Sequence, residues 1–275
     1  MSTQSLPKEM IERPEVWQLN MRVAPGALDL LLFSPLENNS LIYRHIDLDP
    51  QAVSPLKAIE EAIYDNPLLL CDFMRVRVVV QTSKFMAIPP EVEDADDRAA
   101  LFHAAFEGDN GRVYDNRLGA VNASMTFSVE PDLAGFLERT FYNVELYSHL
   151  TPLCNYFVAS GKRANVRRMY ANLRPESIDL IAVDHAEVLM INTMKYREPL
   201  DAIYYIMASY KSLGLDPMTT ELLIAGSPTV RDEIVPTLRS YIASVMPVIF
   251  PSTMFKAGRD VIKAPFDLIV LPLCE

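Results

Sequence analysis

An internal repeat is the feature of this sequence that most restricts its fold. The stretch VAPGALDLLLF, residues 23–33, resembles the stretch LRPESIDLIAV, residues 173–183. Pro25, Asp29 and Leu30 have identical counterparts 150 positions later, and most of the other pairs exchange one apolar residue for another. Self-similarity of this kind indicates one structural unit that is present twice.

The predicted secondary structure repeats in the same order in both parts of the chain. Apolar, aromatic and β-branched runs bounded by turn residues predict strands at residues 16–24, 28–34 and 41–48, and again at 166–173, 177–183 and 187–196. A helix follows each set, over residues 54–66 and 198–214. The motif Pro-Leu-x-Ala-Ile begins at Pro55 in the first helix and at Pro199 in the second. Matching motifs after matching strands favour a duplication.

The remaining residues extend the two units. Residues 120–150 and residues 220–251 each predict a strand, a helix and a strand. The first half also contains an insertion at about residues 67–119, with a β-rich run at 75–89 and an acidic helix at 91–106. The insertion predicts that the first half is the larger of the two.

The division of the chain follows from these units. We expect a first half at residues 1–162 and a second half at residues 163–275. A predicted helix at residues 151–160 leads to GKRAN, residues 161–165, which is the best candidate for a linker.

A duplicated unit of three meandering strands, helix, strand, helix and strand resembles the actin-like ATPase fold, which is built from two ribonuclease-H-like halves around a cleft. Within that fold, the chain is similar to a bacterial family of uncharacterised proteins with no assigned activity. The stretches that carry this resemblance are KFMAIPPEV at residues 84–92, ELYSHLTPL at 145–153 and PFDLIVLPLCE at 265–275. The resemblance implies an α/β protein with two duplicated halves and a β-rich insertion in the first.

The resemblance also implies where ATP would bind, because the ATPases of this fold hold phosphate at the turn between the first two strands of each half. An Asp at the end of the first strand organises magnesium there, and glycines bring backbone N–H groups to the anion. Arg22 and Asn172 stand where the two Asp residues are expected. Pro25 and Pro175 have no N–H to donate, and Gly26 is the one glycine left in either turn.

Two interpretations of the cleft stay open. A divergent nucleotide-binding protein or ATPase would use Arg22, Gly26, Arg174, Gly226 and Ser227 as its cleft residues. A non-catalytic module would have lost, or never had, the phosphate machinery. The chain has nine glycines among its 275 residues, about half the usual share of roughly 7%, and this disfavours glycine-rich phosphate loops. We therefore favour a protein that is not an enzyme, and we expect no cofactor.

The repeated Asp29 and Asp179 also allow two interpretations. They are either a pair of functional carboxylates that the fold brings together, or polar positions on alternating strands that face solvent or a turn. We favour the second. The four histidines are scattered without metal-ligand spacing, so no metal site is expected. We interpret His149, which precedes a predicted helix, as a structural histidine and His185 as an exposed turn residue.

Charge and cysteine content restrict the environment and the partners. The formal net charge of −11 disfavours nucleic acid and anionic membrane surfaces, since both attract basic proteins. No apolar run approaches the roughly 20 residues of a membrane helix, and the N-terminus has no signal-like apolar core. The chain has three cysteines, Cys71, Cys154 and Cys274, which are widely spaced and form no CxxC motif. This pattern predicts buried thiols in a reducing compartment. We expect a cytoplasmic protein.

The sequence thus predicts a degenerate actin-like module that acts by binding an unidentified protein partner or by self-association. A purely structural subunit of a larger assembly is a third possibility. The predicted helix at residues 198–214 has an apolar stripe at Ile203, Ile206, Met207 and Tyr210, widened by tyrosines. This stripe indicates either a helix packed on both sides or a protein interface, where tyrosine is enriched.

Overall fold

The computed structural model describes residues 5–92, 94–119, 121–162, 166–185 and 187–274. Its strands, in chain order, are β1 (Gln18–Ala24), β2 (Ala27–Phe33), β3 (Ile42–Asp47), β4 (Arg75–Val80), β5 (Phe85–Ile88), β6 (Arg112–Leu118), β7 (Ala123–Val129), β8 (Glu145–Ser148), β9 (Arg168–Leu173), β10 (Ser177–Asp184), β11 (Glu187–Lys195), β12 (Glu221–Gly226) and β13 (Val245–Pro247). Its α-helices are α1 (Pro55–Tyr64), α2 (Ala95–Ala105), α3 (Pro131–Thr140), α4 (Leu150–Gly161), α5 (Pro199–Ser212), α6 (Pro228–Leu238), α7 (Ser252–Ala257) and α8 (Phe266–Val270).

Two five-stranded sheets have the same topology. The first has the strand order β3-β2-β1-β4-β8, and the second has the order β11-β10-β9-β12-β13. In both, the first three strands form an antiparallel meander, and the last two run parallel to the first strand. The α/β class and the actin-like arrangement predicted from the sequence are confirmed.

The predicted strands and helices of the two meander units agree with the structure to within two residues at each end. Local chemistry explains this agreement. Helix α1 begins where the Ser54 side chain accepts a hydrogen bond from the Lys57 backbone N–H and Pro55 occupies the first helical position. Helix α5 begins with a capping box between Glu198 and Asp201.

The fourth strand of the first sheet lies elsewhere than predicted. The sequence pattern predicted this strand within residues 120–150. In the structure, the strand that lies next to β1 and parallel to it is β4. The run at residues 75–89, predicted as one β-rich segment of the insertion, contributes β4 to the first sheet and β5 to a separate sheet of order β5-β7-β6. That prediction was wrong because periodicity identifies a strand without identifying its neighbours. The residues that the first half has in addition to the repeated unit therefore lie between β4 and α3.

Each sheet has an outer face covered by helices of its own half. On the first sheet, Leu28, Leu30 and Leu32 pack with residues of α1 and α3. On the second sheet, the corresponding Ile178 and Leu180 pack with residues of α5 and α6. These are two separate hydrophobic clusters, which fits two units that each bury their own helices.

The inner faces are covered by helices that cross between the halves. Helix α4 follows the first sheet in sequence, yet its Phe157 stacks on Tyr170 of the second sheet with a ring-centroid distance of 4.1 Å. Helices α7 and α8 follow the second sheet and pack against Leu31 and Phe33 of the first. We call α4, together with His149 before it, and the segment 252–271 the crossing segments. The predicted division between residues 162 and 163 remains a prediction, and α4 precedes it in sequence.

Helix α5 is buried along one side only. Ile206 and Tyr210 are buried, and Ile203 and Met207 pack at the edge of the same cluster. Leu200 is 65% exposed and Tyr204 is 68% exposed on the opposite side. The helix therefore has a core-facing stripe, and the structure leaves its other side open.

Candidate functional site

The first candidate site is centred on Asp29 in β2, which is 2% exposed. Its neighbours across the strands are Arg22 on β1 and His45 on β3. Arg22 Nη1 lies 3.2 Å from Asp29 Oδ2, and His45 Nδ1 lies 2.7 Å from Asp29 Oδ1. The hydroxyl of Tyr43 donates to the same Oδ1 at 2.8 Å. Asp29 is thus bound by side chains from both strands that flank β2 in the meander.

The second candidate site is centred on Asp179 in β10, which is 1% exposed. Its neighbours across the strands are Asn172 on β9 and Thr193 on β11, in the same register as the first site. Asn172 Nδ2 donates to Asp179 Oδ2 at 3.0 Å, and Thr193 Oγ1 donates to Oδ1 at 2.7 Å. Arg174 Nη2 lies 2.6 Å from Oδ1. The repeat in the sequence therefore corresponds to a repeated side-chain arrangement.

The interpretation of Asp29 and Asp179 as solvent-facing or turn positions was wrong, because both carboxylates are buried. They lie on the inner faces of the two sheets, together with Leu31 in one and Ile181 in the other. The alternation of the strands identified a second face correctly. It gave no indication that helices from the opposite half cover that face.

Each crossing segment adds one charged or titratable side chain to the site of the opposite half. His149, fully buried before α4, places Nε2 3.1 Å from Asp179 Oδ1. Asp267 of α8, also buried, places Oδ2 3.0 Å from Arg22 Nε. The interpretation of His149 as a structural, buried histidine agrees with this placement. Neither contact has a sequence signal, since each joins residues more than 29 positions apart on different elements.

The electrostatics of the two sites follow from these contacts. Burial opposes the charge of Asp179, but His149 and Arg174 outweigh it and hold the pKa of Asp179 well below its usual range. Burial also opposes the charge of Arg22, yet the carboxylates of Asp267, Asp29 and Asp179 together raise its pKa. The carboxylate of the second site therefore also favours the charged guanidinium of the first.

The first site is the one that reaches solvent. His45 has 47% of its side chain exposed and also contacts Asp47. Burial lowers the pKa of His45, but the hydrogen bond to Asp29 and the charges of Asp29 and Asp47 together outweigh this, and the pKa is raised. Burial, with Asp29 nearby, raises the pKa of Tyr43. The protonated imidazole is therefore favoured at this site.

The structure brings together some of the five predicted cleft residues. Arg22 and Arg174 lie in the first and second sites. Gly226 and Ser227 both contact Leu173, the residue before Arg174: the Ser227 backbone N–H donates to the Leu173 carbonyl at 2.8 Å. A Cβ atom at Gly226, where φ is +92°, would overlap that carbonyl, so only glycine fits.

Gly26 lies in the exposed β1–β2 turn with φ of +73° and has open space around it. Its carbonyl accepts a hydrogen bond from the Leu48 backbone N–H. Whether these five residues contact a ligand stays a prediction.

A magnesium–nucleotide complex does not fit these two sites. In the described structure, four side chains lie within hydrogen-bond distance of the Asp179 carboxylate, and three side chains lie within that distance of the Asp29 carboxylate. A hard cation requires free carboxylate oxygens, and guanidinium groups cannot supply them. Among the described residues, no group of three or more His, Cys, Asp and Glu side chains could hold a metal ion.

Sequence reasoning missed several residues of these sites. His45 and Tyr43 could have been found, because β3 pairs with β2 and residue 45 is the cross-strand neighbour of residue 29. Thr193 follows from the same argument in the second half. Asp267 and His149 required the tertiary structure.

Comparison with known proteins agrees with the fold. A protein of Bacteroides thetaiotaomicron with an actin-like ATPase fold and unknown function superposes with a TM-score of 0.81, at 20% identity, over 97% of this chain and 100% of that chain. A chain of the PilM-PilN type IV pilus biogenesis complex superposes with a TM-score of 0.55, at 13% identity, over 94% and 99% of the two chains. No curated protein matches the sequence.

No helix in the described part of the chain has the length and apolar character needed to cross a membrane. Residues 8–245 match the family described as protein of unknown function, DUF3822. The chain belongs to this family.

Proposed function

We propose that this member of the DUF3822 family is a non-catalytic actin-like module that acts by binding another protein or by self-association. The observation that carries the proposal is the state of Asp29 and Asp179. Both are buried, and both are bound by cationic and hydroxyl side chains of the chain itself. A cleft whose carboxylates are already bound by side chains of the protein holds the two halves together and leaves no carboxylate oxygen free for a metal ion.

The free-energy cost of breaking the contacts around Asp179 supports the proposal. Metal binding at Asp179 would have to displace Arg174 and His149, which are themselves buried. Arg174 would then lack its carboxylate, and breaking a buried ion pair costs roughly 3–5 kcal/mol. A phosphate near Arg174 would compete with an ion pair that is already formed inside the protein.

Exposed apolar side chains support a role in protein binding. Leu200 and Tyr204 project from the open side of α5, and tyrosine is enriched at protein interfaces. The structural neighbour from the PilM-PilN complex comes from an assembly of two proteins. That assembly supports protein binding as a role of which this fold is capable.

Titration calorimetry with magnesium and millimolar ATP, together with a phosphate-release assay, tests the non-catalytic part. We expect no saturable heat and no release above the buffer blank for the wild type. Arg174→Ala, which removes one of the four side chains bound to Asp179, and the control Arg231→Ala, whose side chain is partly exposed and lies outside both sites, should behave in the same way. Magnesium-dependent ATP turnover that is lost in Arg174→Ala but kept in Arg231→Ala would overturn the proposal.

Sedimentation equilibrium over a wide range of protein concentrations separates the two modes of action. A mass that rises with concentration, and that returns to one chain in Tyr204→Glu, supports self-association through α5. A single-chain mass at every concentration assigns the role to a different partner protein.

A further inference from the structure

A groove of about 950 Å³ lies between α4, the end of β6 and the C-terminal segment, outside both carboxylate sites. Its volume is at the upper end of the range typical for ligand pockets, roughly 300–1,000 Å³. Tyr156 and Ala159 of α4 lie on one side, and Val270 and Leu273 lie on the other. Leu273 is 41% exposed, so part of the apolar lining is open to solvent. The groove therefore presents an apolar floor that nothing in the described chain covers.

The rim of this groove is basic, although the protein as a whole has a net charge of −11. Arg117 and Lys162 both line it and are exposed. Within the described residues, neither of them forms an ion pair, and no Asp or Glu lines the groove. The third cation, Arg168, is held by Glu221 at 2.8 Å. Two cations are thus available for an anionic ligand.

Asn155 restricts which hydrogen-bonding groups a ligand in this groove can carry. Its side chain lines the groove, and its Nδ2 donates to the Arg117 carbonyl at 3.4 Å. Its Oδ1 is buried and has no hydrogen-bond partner among the residues that the structure describes. A buried acceptor without a donor is costly, so a ligand N–H group that meets this oxygen after a small rotation of the Asn155 amide would be favoured.

We infer that this groove binds an acidic, partly apolar peptide segment of a partner protein. Its carboxylates pair with Arg117 and Lys162, a main-chain N–H donates to Asn155 Oδ1, and an apolar side chain packs on Leu273. A peptide combines these three features, whereas inorganic phosphate offers only the charge. The inference rests on the proposed function, because it locates the surface through which the module binds another protein.

Selection from a displayed library of random short peptides tests this inference, with the enriched sequences then synthesised and labelled. Fluorescence anisotropy gives their affinity for the wild type and for three variants. Arg117→Glu/Lys162→Glu reverses the rim, and Lys195→Glu/Lys211→Glu makes the same change in net charge at exposed positions outside the groove. Asn155→Ala removes the acceptor without changing the charge.

We expect the enriched peptides to contain Asp or Glu beside apolar residues. Their affinity should fall about tenfold or more in Arg117→Glu/Lys162→Glu, since two attractions become repulsions. It should fall about threefold in Asn155→Ala and stay unchanged in Lys195→Glu/Lys211→Glu. High salt should weaken binding to the wild type. Because the altered rim residues are exposed, the melting temperature should stay close to that of the wild type.

Three results would overturn the inference: no enrichment, enrichment without acidic residues, or equal affinity for the wild type and Arg117→Glu/Lys162→Glu. Peptides that bind both proteins equally would leave protein binding as the function and remove this groove from it. Magnesium-dependent ATP turnover would instead overturn the proposed function, irrespective of the peptide result. The two failures are therefore distinguishable.

Discussion

The two carboxylate sites occupy the same position in the two halves, yet the first is more open to solvent than the second. In the first, the outer strand of the meander contributes His45, whose side chain is 47% exposed. In the second, the same register position carries Thr193, and His149 closes the site from the opposite half. The strand register alone would make the sites equivalent.

The crossing segments add to this difference. The segment before α4 brings an imidazole to Asp179, which already has Arg174. The segment with α8 brings a carboxylate to Arg22, which already has Asp29. The second site thus gathers donors around one carboxylate, while the first shares one guanidinium between two carboxylates. A repeated unit therefore acquires two different environments from the parts of the chain outside the repeat.

The largest expected effect is a difference between Asp179→Ala and Asp29→Ala. Removing Asp179 leaves Arg174 and His149 buried without a carboxylate, and should lower the free energy of unfolding by about 3–5 kcal/mol. Removing Asp29 leaves Arg22 paired with Asp267, so we expect about 2 kcal/mol. Urea unfolding followed by circular dichroism measures both. Equal losses would show that the crossing segments do not distinguish the sites.

A second, smaller effect is expected for Asp267→Asn, which removes the crossing charge from the first site. Arg22 keeps Asp29 and the Gln81 side chain, so the loss should be about 1–2 kcal/mol. Asp260→Asn is the matched control, because Asp260 is exposed and, within the described part of the chain, pairs only with the exposed Lys263. The control should change the free energy of unfolding by less than about 0.5 kcal/mol. A loss in the control as large as in Asp267→Asn would mean that α8 does not contribute through its contact with Arg22.

The smallest expected effect depends on pH and concerns His45 in the first site. The pKa of His45 is raised in the folded protein, so its contribution is complete below the unfolded value of about 6.5 and is lost as the pH rises through the folded value. His45→Gln should therefore reduce stability below pH of about 6.5, by less than about 1 kcal/mol because the side chain is half exposed. The difference from the wild type should shrink toward alkaline pH.

Thr193→Val makes the corresponding change in the second site. The threonine hydroxyl does not titrate in this range, so its loss should be the same at each pH. Melting temperatures of the two variants and the wild type across this pH range give the comparison. A pH-independent loss in His45→Gln would contradict the assignment of a charged imidazole beside Asp29.

The repeat in the sequence predicted more of this fold than any composition argument. Two meanders with a helix after each follow from turn residues, β-branched runs and the helix-capping residues Ser54 and Glu198, all of which act over a few residues. The place of β4 in the first sheet was missed, because an apolar strand has the same pattern whichever neighbours it pairs with.

For the candidate site, the sequence alone determined that Asp29 and Asp179 are equivalent positions of the repeat, and the resemblance to actin-like ATPases led us to expect aspartates where Arg22 and Asn172 stand. Only the tertiary structure decided that both carboxylates are buried, and that His149 and Asp267 reach them from the opposite halves. The physical reason is the range of the interactions. Turns, caps and strand alternation depend on neighbouring residues, whereas burial of an inner face depends on which distant helix packs over it.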